Sequence, residues 1–256
     1  MKSKNFQAIY VMWLREMKRF LRAKSRVIGT LAMPFFFLLS LGFGLRPSLN
    51  LPGMPQSASY IDFLVPGIIG MTMLFTSTFA GLSVLWDKEF GFLKEILVAP
   101  VRRLAIVLGR IAGGITTAII QGFLILIISL FIGFKILNPF GIILTLIFMF
   151  LIGIGFISFG ITMASIMEDT QGFSLIMQFI IFPTFLLSGA LFPVSNLPGW
   201  LKPVIYINPL TYGVDGLRGS LIGFSQFPLL LNLFLLLIFD LVMIALGSWL
   251  FSKTEV

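Results

Sequence analysis

The sequence contains no cysteine and no histidine. Their absence excludes disulfides, thiol chemistry, zinc sites and imidazole general bases. Charged residues are also scarce, at 11% of the 256 residues, whereas hydrophobic residues make up 58%. Because a soluble globular protein is about 45–50% apolar, this composition predicts an integral membrane protein. The net charge is +8. Because the basic residues cluster beside apolar segments, we expect them to contact membrane lipid and not nucleic acid.

Six apolar segments are long enough to cross the hydrocarbon core, which requires roughly 20 residues of helix. They cover approximately residues 27–45, 63–86, 104–134, 140–167, 173–192 and 227–251. The sequence lacks the short segments of alternating polar and apolar residues that are typical of membrane β-barrels. The backbone is therefore expected to form its hydrogen bonds within transmembrane helices. The predicted fold class is an all-α integral membrane protein with six transmembrane helices, in a single domain over residues 1–256.

The distribution of lysine and arginine predicts the orientation of the chain, because cytoplasmic loops carry the excess of these residues. Residues 1–26 contain eight basic residues and one acidic residue, and residues 87–103 contain four more basic residues. Both segments are therefore predicted to be cytoplasmic. The sixth span, within residues 227–256, returns the C-terminal tail to the same side. The expected location is the cell membrane, plasma or inner, with both termini cytoplasmic.

Residues 1–26 are predicted to form an amphipathic helix at the membrane interface. Apolar side chains recur at three- and four-residue intervals on one face, and basic side chains occupy the opposite face. The apolar face contains Phe6, Ile9, Tyr10, Trp13, Met17, Phe20 and Leu21, and the basic face contains Arg15, Lys18, Arg19 and Arg22. Such a helix is typical of the headgroup region. It either only anchors the chain and sets its topology, or it also contacts a cytosolic partner.

The loop between the second and third predicted spans is rich in charge. Residues 87–100 place apolar side chains on one helical face, and Pro100 ends that pattern. The apolar side chains are Phe90, Leu93, Leu97 and Val98. This predicts a short surface helix through which a force would move both adjoining spans together. The alternative is an inert loop whose acidic residues balance its basic ones.

The same loop resembles a motif of the type-2 ABC exporter permease family. In that motif an acidic residue, a glycine, leucines and a proline precede a basic residue and a later glycine. The matching residues are Glu89, Gly91, Leu93, Leu97, Pro100, Arg102 and Gly109. A second resemblance covers residues 187–193 and 208–212, with Asp215 and Arg218. One difference is Lys88, because the family usually has arginine there and lysine lacks the planar guanidinium.

The resemblance implies the transmembrane, or permease, subunit of an ATP-driven ABC exporter. Two permease copies, identical or similar, would form the pathway, and two cytosolic ABC ATPase subunits would press on the coupling helices over residues 87–100. The chain has no Gly-x-x-x-x-Gly-Lys-Ser/Thr sequence, so ATP and Mg²⁺ are expected on the partner. We expect no enzyme activity, catalytic residue, metal site or bound cofactor in this chain. The residues implied in coupling are Asp87, Lys88, Glu89, Gly91, Leu93, Lys94, Glu95, Pro100 and Arg102.

Residues 193–226 are rich in proline and glycine, which excludes one long helix. In the resembling family this region forms small re-entrant external helices above the pathway, before span six. The resemblance assigns that role to residues 194–222. The alternative is an ordinary folded loop.

The interior of the spans also contains ionisable groups. Asp240 lies near the middle of the last span, where an acid costs about 2.5–3.5 kcal/mol on insertion scales. It is either protonated, paired with a polar neighbour such as Asn232 or Thr162, or part of a substrate path. An ion-driven transporter with Asp240 as its proton site is therefore the alternative function. Arg110, near the inner end of the third span, is expected to snorkel to the membrane surface.

Spans one to five lie within residues 27–192. In the resembling family the second and fifth of these spans line the central cleft. The resemblance gives a set of substrate-path residues, to which Asp240 is added. These are Met71, Phe75, Phe79, Gln178 and Phe182. Their aromatic character favours a hydrophobic or amphipathic cargo, such as a drug, lipid or glycolipid, over the alternative of a polysaccharide.

Overall fold

The computed structural model describes residues 2–44, 59–91, 101–167, 169–194 and 198–253. Within these ranges the chain is helical and contains no strand. Residues 92–100, which hold most of the predicted coupling helix, lie outside the described residues.

The described ranges contain the following helices. They are α1 (Lys2–Arg22), α2 (Lys24–Gly44), α3 (Tyr60–Glu89), α4 (Arg103–Ile132), α5 (Ile142–Ile166), α6 (Thr170–Ile176), α7 (Phe182–Leu186), α8 (Lys202–Ile207), α9 (Pro209–Ile222) and α10 (Leu229–Lys253). A 3₁₀ turn, Pro139–Gly141, precedes α5, and a π-helical segment, Met177–Ile181, joins α6 to α7.

Among the described residues, five helices are long and apolar enough to cross a membrane. They are α2 from Val27, α3, α4, α5 with its preceding 3₁₀ turn, and α10. They correspond to the first four predicted spans and the sixth, with ends that differ by a few residues. The chain is therefore a multi-pass helical membrane protein.

The fifth predicted span, residues 173–192, is divided into shorter pieces. The apolar stretch Thr170–Leu186 amounts to about 25 Å at 1.5 Å per residue, less than the roughly 30 Å of the hydrocarbon core. Pro183 lies in the first turn of α7. Because proline has no backbone N–H to donate to the preceding turn, the wider π-helical turn forms just before it. The chain then turns at Gly189, whose φ is 72°, so a sixth span stays a prediction.

The centre of the bundle is α3, which packs against α2, α4, α5 and α9. A close contact of α3 with α5 lies at Gly81 and Gly160. A Cβ atom on Gly81 would lie 2.4 Å from the carbonyl carbon of Gly160, so a larger residue would force the helices apart. Close backbone contact of this kind drives helix association in lipid, where helices gain little from the hydrophobic effect. The amphipathic helix α1 packs along α4.

Candidate functional site

Asp87, in the last turn of α3, is the centre of a buried charged cluster and is only 4% exposed. Arg15 of α1 donates two hydrogen bonds to it, from Nη2 to Oδ1 at 2.7 Å and from Nη1 to Oδ2 at 3.1 Å. Arg110 of α4 donates from Nη2 to Oδ2 of Asp87 and from Nη1 to Oγ of Ser83 at 3.2 Å. The cluster joins α1, α3 and α4 where the charged loop begins. We call Arg15, Asp87 and Arg110 the charged junction.

Glu16 balances the charge of this junction. Burial lowers the pKa of Arg15, but the hydrogen bonds and charge of Asp87, with a contribution from Glu16, outweigh it and raise that pKa above its ordinary value. Two guanidinium groups are therefore matched by two carboxylates. Removing one member of a buried ion pair leaves an uncompensated charge and costs about 3–5 kcal/mol. The junction therefore holds the three helices in one arrangement.

Lys88 and Glu89 connect the start of the loop to the α5–α6 connection. The Nζ of Lys88 donates to the backbone carbonyl of Met167 at 3.1 Å. The Oε1 of Glu89 accepts a hydrogen bond at 3.1 Å from the backbone N–H of Thr170, which opens α6 and has no partner within the helix. Three consecutive residues thus contact four helices or their ends.

The far end of the loop also lies against α1. The backbone N–H of Arg102 donates to Oδ1 of Asn5 at 3.2 Å. At the near end, Gly91 has a φ of 75°, a left-handed conformation that glycine adopts without strain. Of the other predicted coupling residues, Leu93, Lys94, Glu95 and Pro100 lie outside the described residues.

The helix α1 packs on the bundle rather than only on lipid. A Cβ atom on Gly109 would lie 2.6 Å from Cβ of Met12, so the glycine permits the contact between α4 and α1. Met12 is buried, and Nε1 of Trp13 donates to Oγ1 of Thr116 at 3.1 Å. These contacts give the glycine of the loop motif a structural role.

The sequence predicted that Arg110 snorkels to the membrane surface, and this prediction is wrong. Arg110 is 3% exposed and is bound to Asp87 inside the bundle. Its signal in the sequence is a basic residue inside the third span that follows an acid at the end of the second. The carboxylate of Asp87 is bound to Arg15 and Arg110 within the chain, and its contact with a soluble partner stays a prediction.

Four of the predicted substrate-path residues line one space, which we call the apolar cavity. It has a volume of about 290 Å³ and is bounded by α2, α3 and the π-helical segment with α7. Its lining residues are Met33, Phe75, Phe79, Met177, Gln178 and Phe182. Met71, by contrast, is fully buried in the core of the bundle and does not reach the cavity.

Asp240 of α10 is 3% exposed, and neither carboxylate oxygen has a hydrogen-bond partner in the part of the chain that the structure describes. It packs against α5, where a Cβ atom on Gly155 would lie 2.6 Å from its Oδ1. Asn232, one of its predicted partners, instead donates to Oδ2 of Asp215 at 2.9 Å. Among the described residues, Asp240 is neither hydrogen-bonded to the charged junction nor part of the lining of the apolar cavity.

The segment before α10 forms α8 and α9, and polar contacts fix both. Asp215 of α9 accepts hydrogen bonds from the backbone N–H groups of Gln226 and Phe227 at 2.8 and 2.9 Å. Arg218 lies over the ring of Phe63, 3.8 Å from its centroid, and donates to the carbonyl of Gly189 at 3.0 Å. Burial lowers the pKa of Arg218 to about 10, although Asp215 opposes the shift. The two residues of the second motif thus hold α9 in the bundle.

The helices and the charged junction define a multi-pass membrane protein whose loop is tied to several spans. The chain matches the family model described as ABC-2 type transporter over residues 7–222 and belongs to that family. It is 30% identical to the transport permease ycf38 of Cyanophora paradoxa, over 96% of this chain and 88% of that protein. It is 28% identical to the inner membrane transport permease YadH of Escherichia coli K12, over 91% and 90% respectively.

A further relative is nodulation protein J of Rhizobium meliloti, which is 29% identical over 78% of this chain and 76% of that protein. The family resemblance drawn from the loop motif is confirmed. The chain is the membrane subunit of an ABC-2 type transport permease, and the family associates with a partner ATP-binding subunit.

Proposed function

We propose that the chain is the permease subunit of an ATP-driven exporter, in which two permease copies form the pathway and two cytosolic ATPase subunits supply the energy. The observation that carries this proposal is the contact set of Asp87, Lys88 and Glu89. Through these residues the start of the loop is bound to α1, α4 and the α5–α6 connection. A displacement of the loop is therefore passed to several spans at once, which is the mechanical requirement of coupling to a soluble motor.

The loop faces the cytoplasm in this proposal, as do both termini, because residues 1–26 and 87–103 carry most of the basic residues. Lys94 and Glu95 provide the charged contacts with the ATPase. The buried Asp87 instead keeps the loop fixed to the bundle while the ATPase moves it. Hydrolysis takes place on the partner, which holds ATP and Mg²⁺.

Charge reversal at Glu89 tests the coupling. Glu89→Lys is expected to abolish co-purification with the ATPase while leaving membrane insertion intact. The control is Glu89→Gln, whose amide oxygen can still accept the hydrogen bond from Thr170. Recovery of the Glu89→Lys variant with its ATPase at normal yield would count against the proposal.

The cargo is proposed to be hydrophobic or amphipathic, such as a drug, lipid or glycolipid. Support comes from the apolar cavity, in which three phenylalanine rings and two methionines surround the single amide of Gln178. Binding sites for apolar molecules have this character: mostly apolar walls with few polar groups.

A second candidate function is an ion-driven transporter that uses Asp240. The observation in its favour is the buried carboxylate without a hydrogen-bond partner in the described ranges. Asp240→Asn removes the titratable group and keeps the shape of the side chain. If transport by that variant with a competent ATPase is unchanged, the ion-driven mechanism is rejected.

A further inference from the structure

A small space with polar walls lies between α1, α2, α3 and α4, and we call it the polar space. It has a volume of about 50 Å³ and is lined by residues of all four helices. Its acidic and uncharged polar lining residues are Glu16, Thr30, Thr76, Ser83, Thr117 and Gln121. The hydroxyl of Ser83 also accepts a hydrogen bond from Arg110. The polar space therefore adjoins the charged junction.

Glu16 fits against α4 because position 113 of that helix is glycine. A Cβ atom on Gly113 would lie 2.6 Å from Cβ of Glu16 and 3.0 Å from its Cγ. Gly113 follows Arg110 by three residues and lies on the same face of α4. The charge of Glu16 acts on Arg110. Glu16 is therefore seated about one helical turn from Arg110.

Two charged atoms in this region are buried and have no hydrogen-bond partner among the residues that the structure describes. They are Oε1 of Glu16, an acceptor, and Nε of Arg110, a donor. Arg110 as a whole is 3% exposed. Because buried polar atoms are almost always hydrogen-bonded to protein or to ordered water, a ligand that both donates and accepts would complete the two.

The walls of the polar space offer mainly acceptor oxygens. The hydroxyl of Thr76 donates its proton to Oε1 of Gln121 at 2.7 Å, and that of Thr117 donates to the carbonyl of Gly114 at 2.8 Å. The hydroxyl of Ser83 donates to a backbone carbonyl at 2.7 Å. Each hydroxyl oxygen keeps its lone pairs, so the ligand has to donate hydrogen bonds or be a small cation.

Charge and size favour water over a cation. Arg15, Arg19 and Arg110 bring three positive charges to this region. Asp87 and Glu16 bring only two negative charges, so a cation would add to an excess of positive charge. At roughly 15–30 Å³ for each molecule, a space of about 50 Å³ accommodates about two or three waters.

We propose that the polar space is a binding site for ordered water, which is held by the carboxylate of Glu16. The bound water makes Glu16 a fourth member of the charged junction. A bridging water is nearly as favourable as a direct hydrogen bond, so the site also connects α1 with α2 through Gln121, which accepts from Thr30 at 3.1 Å. The site requires neither cargo nor an ATPase.

Water-edited solid-state NMR tests the site on the full chain in phosphatidylcholine bilayers, with ¹³C-labelled threonine. Magnetisation passes quickly from water only to side chains that water contacts. Thr76 and Thr72 are a matched pair, four residues apart on α3 and 8% and 0% exposed, and Thr72 is not part of the lining. Fast build-up is expected for Thr76 and Thr117, and slow build-up for Thr72. Substitution of each threonine by valine assigns its signal.

Two variants test whether Glu16 holds the water. Glu16→Met keeps the length of the side chain but removes both acceptor oxygens, so the fast build-up at Thr76 is expected to be lost. Glu16→Gln keeps one acceptor oxygen and is expected to retain it. Slow build-up at Thr76 in the wild-type chain overturns the proposal without any variant. Fast build-up that persists in Glu16→Met shows that Glu16 does not hold the water and overturns the assignment.

Salts of different cations distinguish water from a bound metal ion. Thermal midpoints are compared in sodium, potassium and N-methylglucamine chloride at equal ionic strength, because N-methylglucamine is too large for the polar space. Equal midpoints are expected. A midpoint that is higher in sodium or potassium chloride alone identifies a cation that stabilises the folded state, and it overturns the proposal.

Discussion

Arg110 and Asp87 form an ion pair across the contact between α4 and α3, with side-chain exposures of 2% and 5%. The pair lies where α3 ends and the charged loop begins, so the position of the loop depends on the packing of two spans. Arg15 adds a third helix to the same carboxylate. The start of the charged loop is therefore fixed to three helices.

Removing Asp87 is expected to destabilise the chain more than removing the ion pair altogether. Asp87→Ala leaves Arg110 buried without its partner, at a cost of about 3–5 kcal/mol, whereas Asp87→Ala combined with Arg110→Met removes the uncompensated charge. Thermal midpoints in detergent should rank wild type first, the double variant second and the single variant last. A single variant as stable as wild type would show that Arg110 finds another partner.

The contact between α3 and α5 is expected to require glycine at position 81. Gly81→Ala places a methyl group against the backbone of Gly160 and should lower stability by about 1–3 kcal/mol, the usual cost of overpacking. Gly29→Ala is the control, because a Cβ atom there would meet no heavy atom within 4 Å. That variant should be neutral or slightly stabilising in the same thermal assay. Equal effects of the two substitutions would contradict the observed packing.

The natural absence of cysteine allows the apolar cavity to be mapped without background labelling. Single cysteines replace Phe182 in the cavity lining, the fully buried Met71, and Phe179, which is 75% exposed on the same segment as Phe182. A water-soluble methanethiosulfonate reacts with the thiolate, so it needs aqueous access. Phe182→Cys is expected to react fastest, because the other two positions face the packed core or lipid. Comparable rates at positions 71 and 182 would contradict the cavity.

Asp62 and Asp240 are both buried, with 3% exposure. Replacing each with leucine is expected to change the thermal midpoint in opposite directions. Asp62 accepts hydrogen bonds from the backbone and hydroxyl of Ser59 and from the backbone of Lys135, each worth about 1.5–3 kcal/mol when one partner is charged. Asp62→Leu should therefore lower the thermal midpoint. Asp240→Leu should raise it, because no described residue compensates the buried carboxyl group. A lower midpoint for Asp240→Leu would indicate a bound partner at that position.

The spans were predictable because an apolar run in a chain of this composition has one available conformation, the helix. Hydropathy gave α3, α4, α5 and α10 to within a few residues. It did not reveal the division of the fifth segment, because Pro183 is apolar and its effect is on backbone hydrogen bonding. The π-helical segment before Pro183 is visible in the backbone hydrogen bonds of the structure but not in the composition of the sequence.

The partners of Asp87 were less accessible to sequence reasoning. The loop motif drew attention to Asp87, yet Arg15 and Arg110 are separated from it by 72 and 23 residues, and their pairing depends on how α1 and α4 pack. The family resemblance placed Phe75, Phe79, Gln178 and Phe182 on the substrate path. These four residues line the apolar cavity, while their contact with a substrate stays a prediction. Met71 was placed on the same path but lies deeper in the bundle, where α3 is enclosed on all sides.

The double hydrogen bond from Arg15 to Asp87 means that α1 cannot be exchanged for an arbitrary membrane anchor. A chimera that takes this helix from a relative must also bring the acidic partner and the small residue at position 109 against which Met12 packs. The N-terminal helix and the two spans it contacts therefore have to be exchanged together.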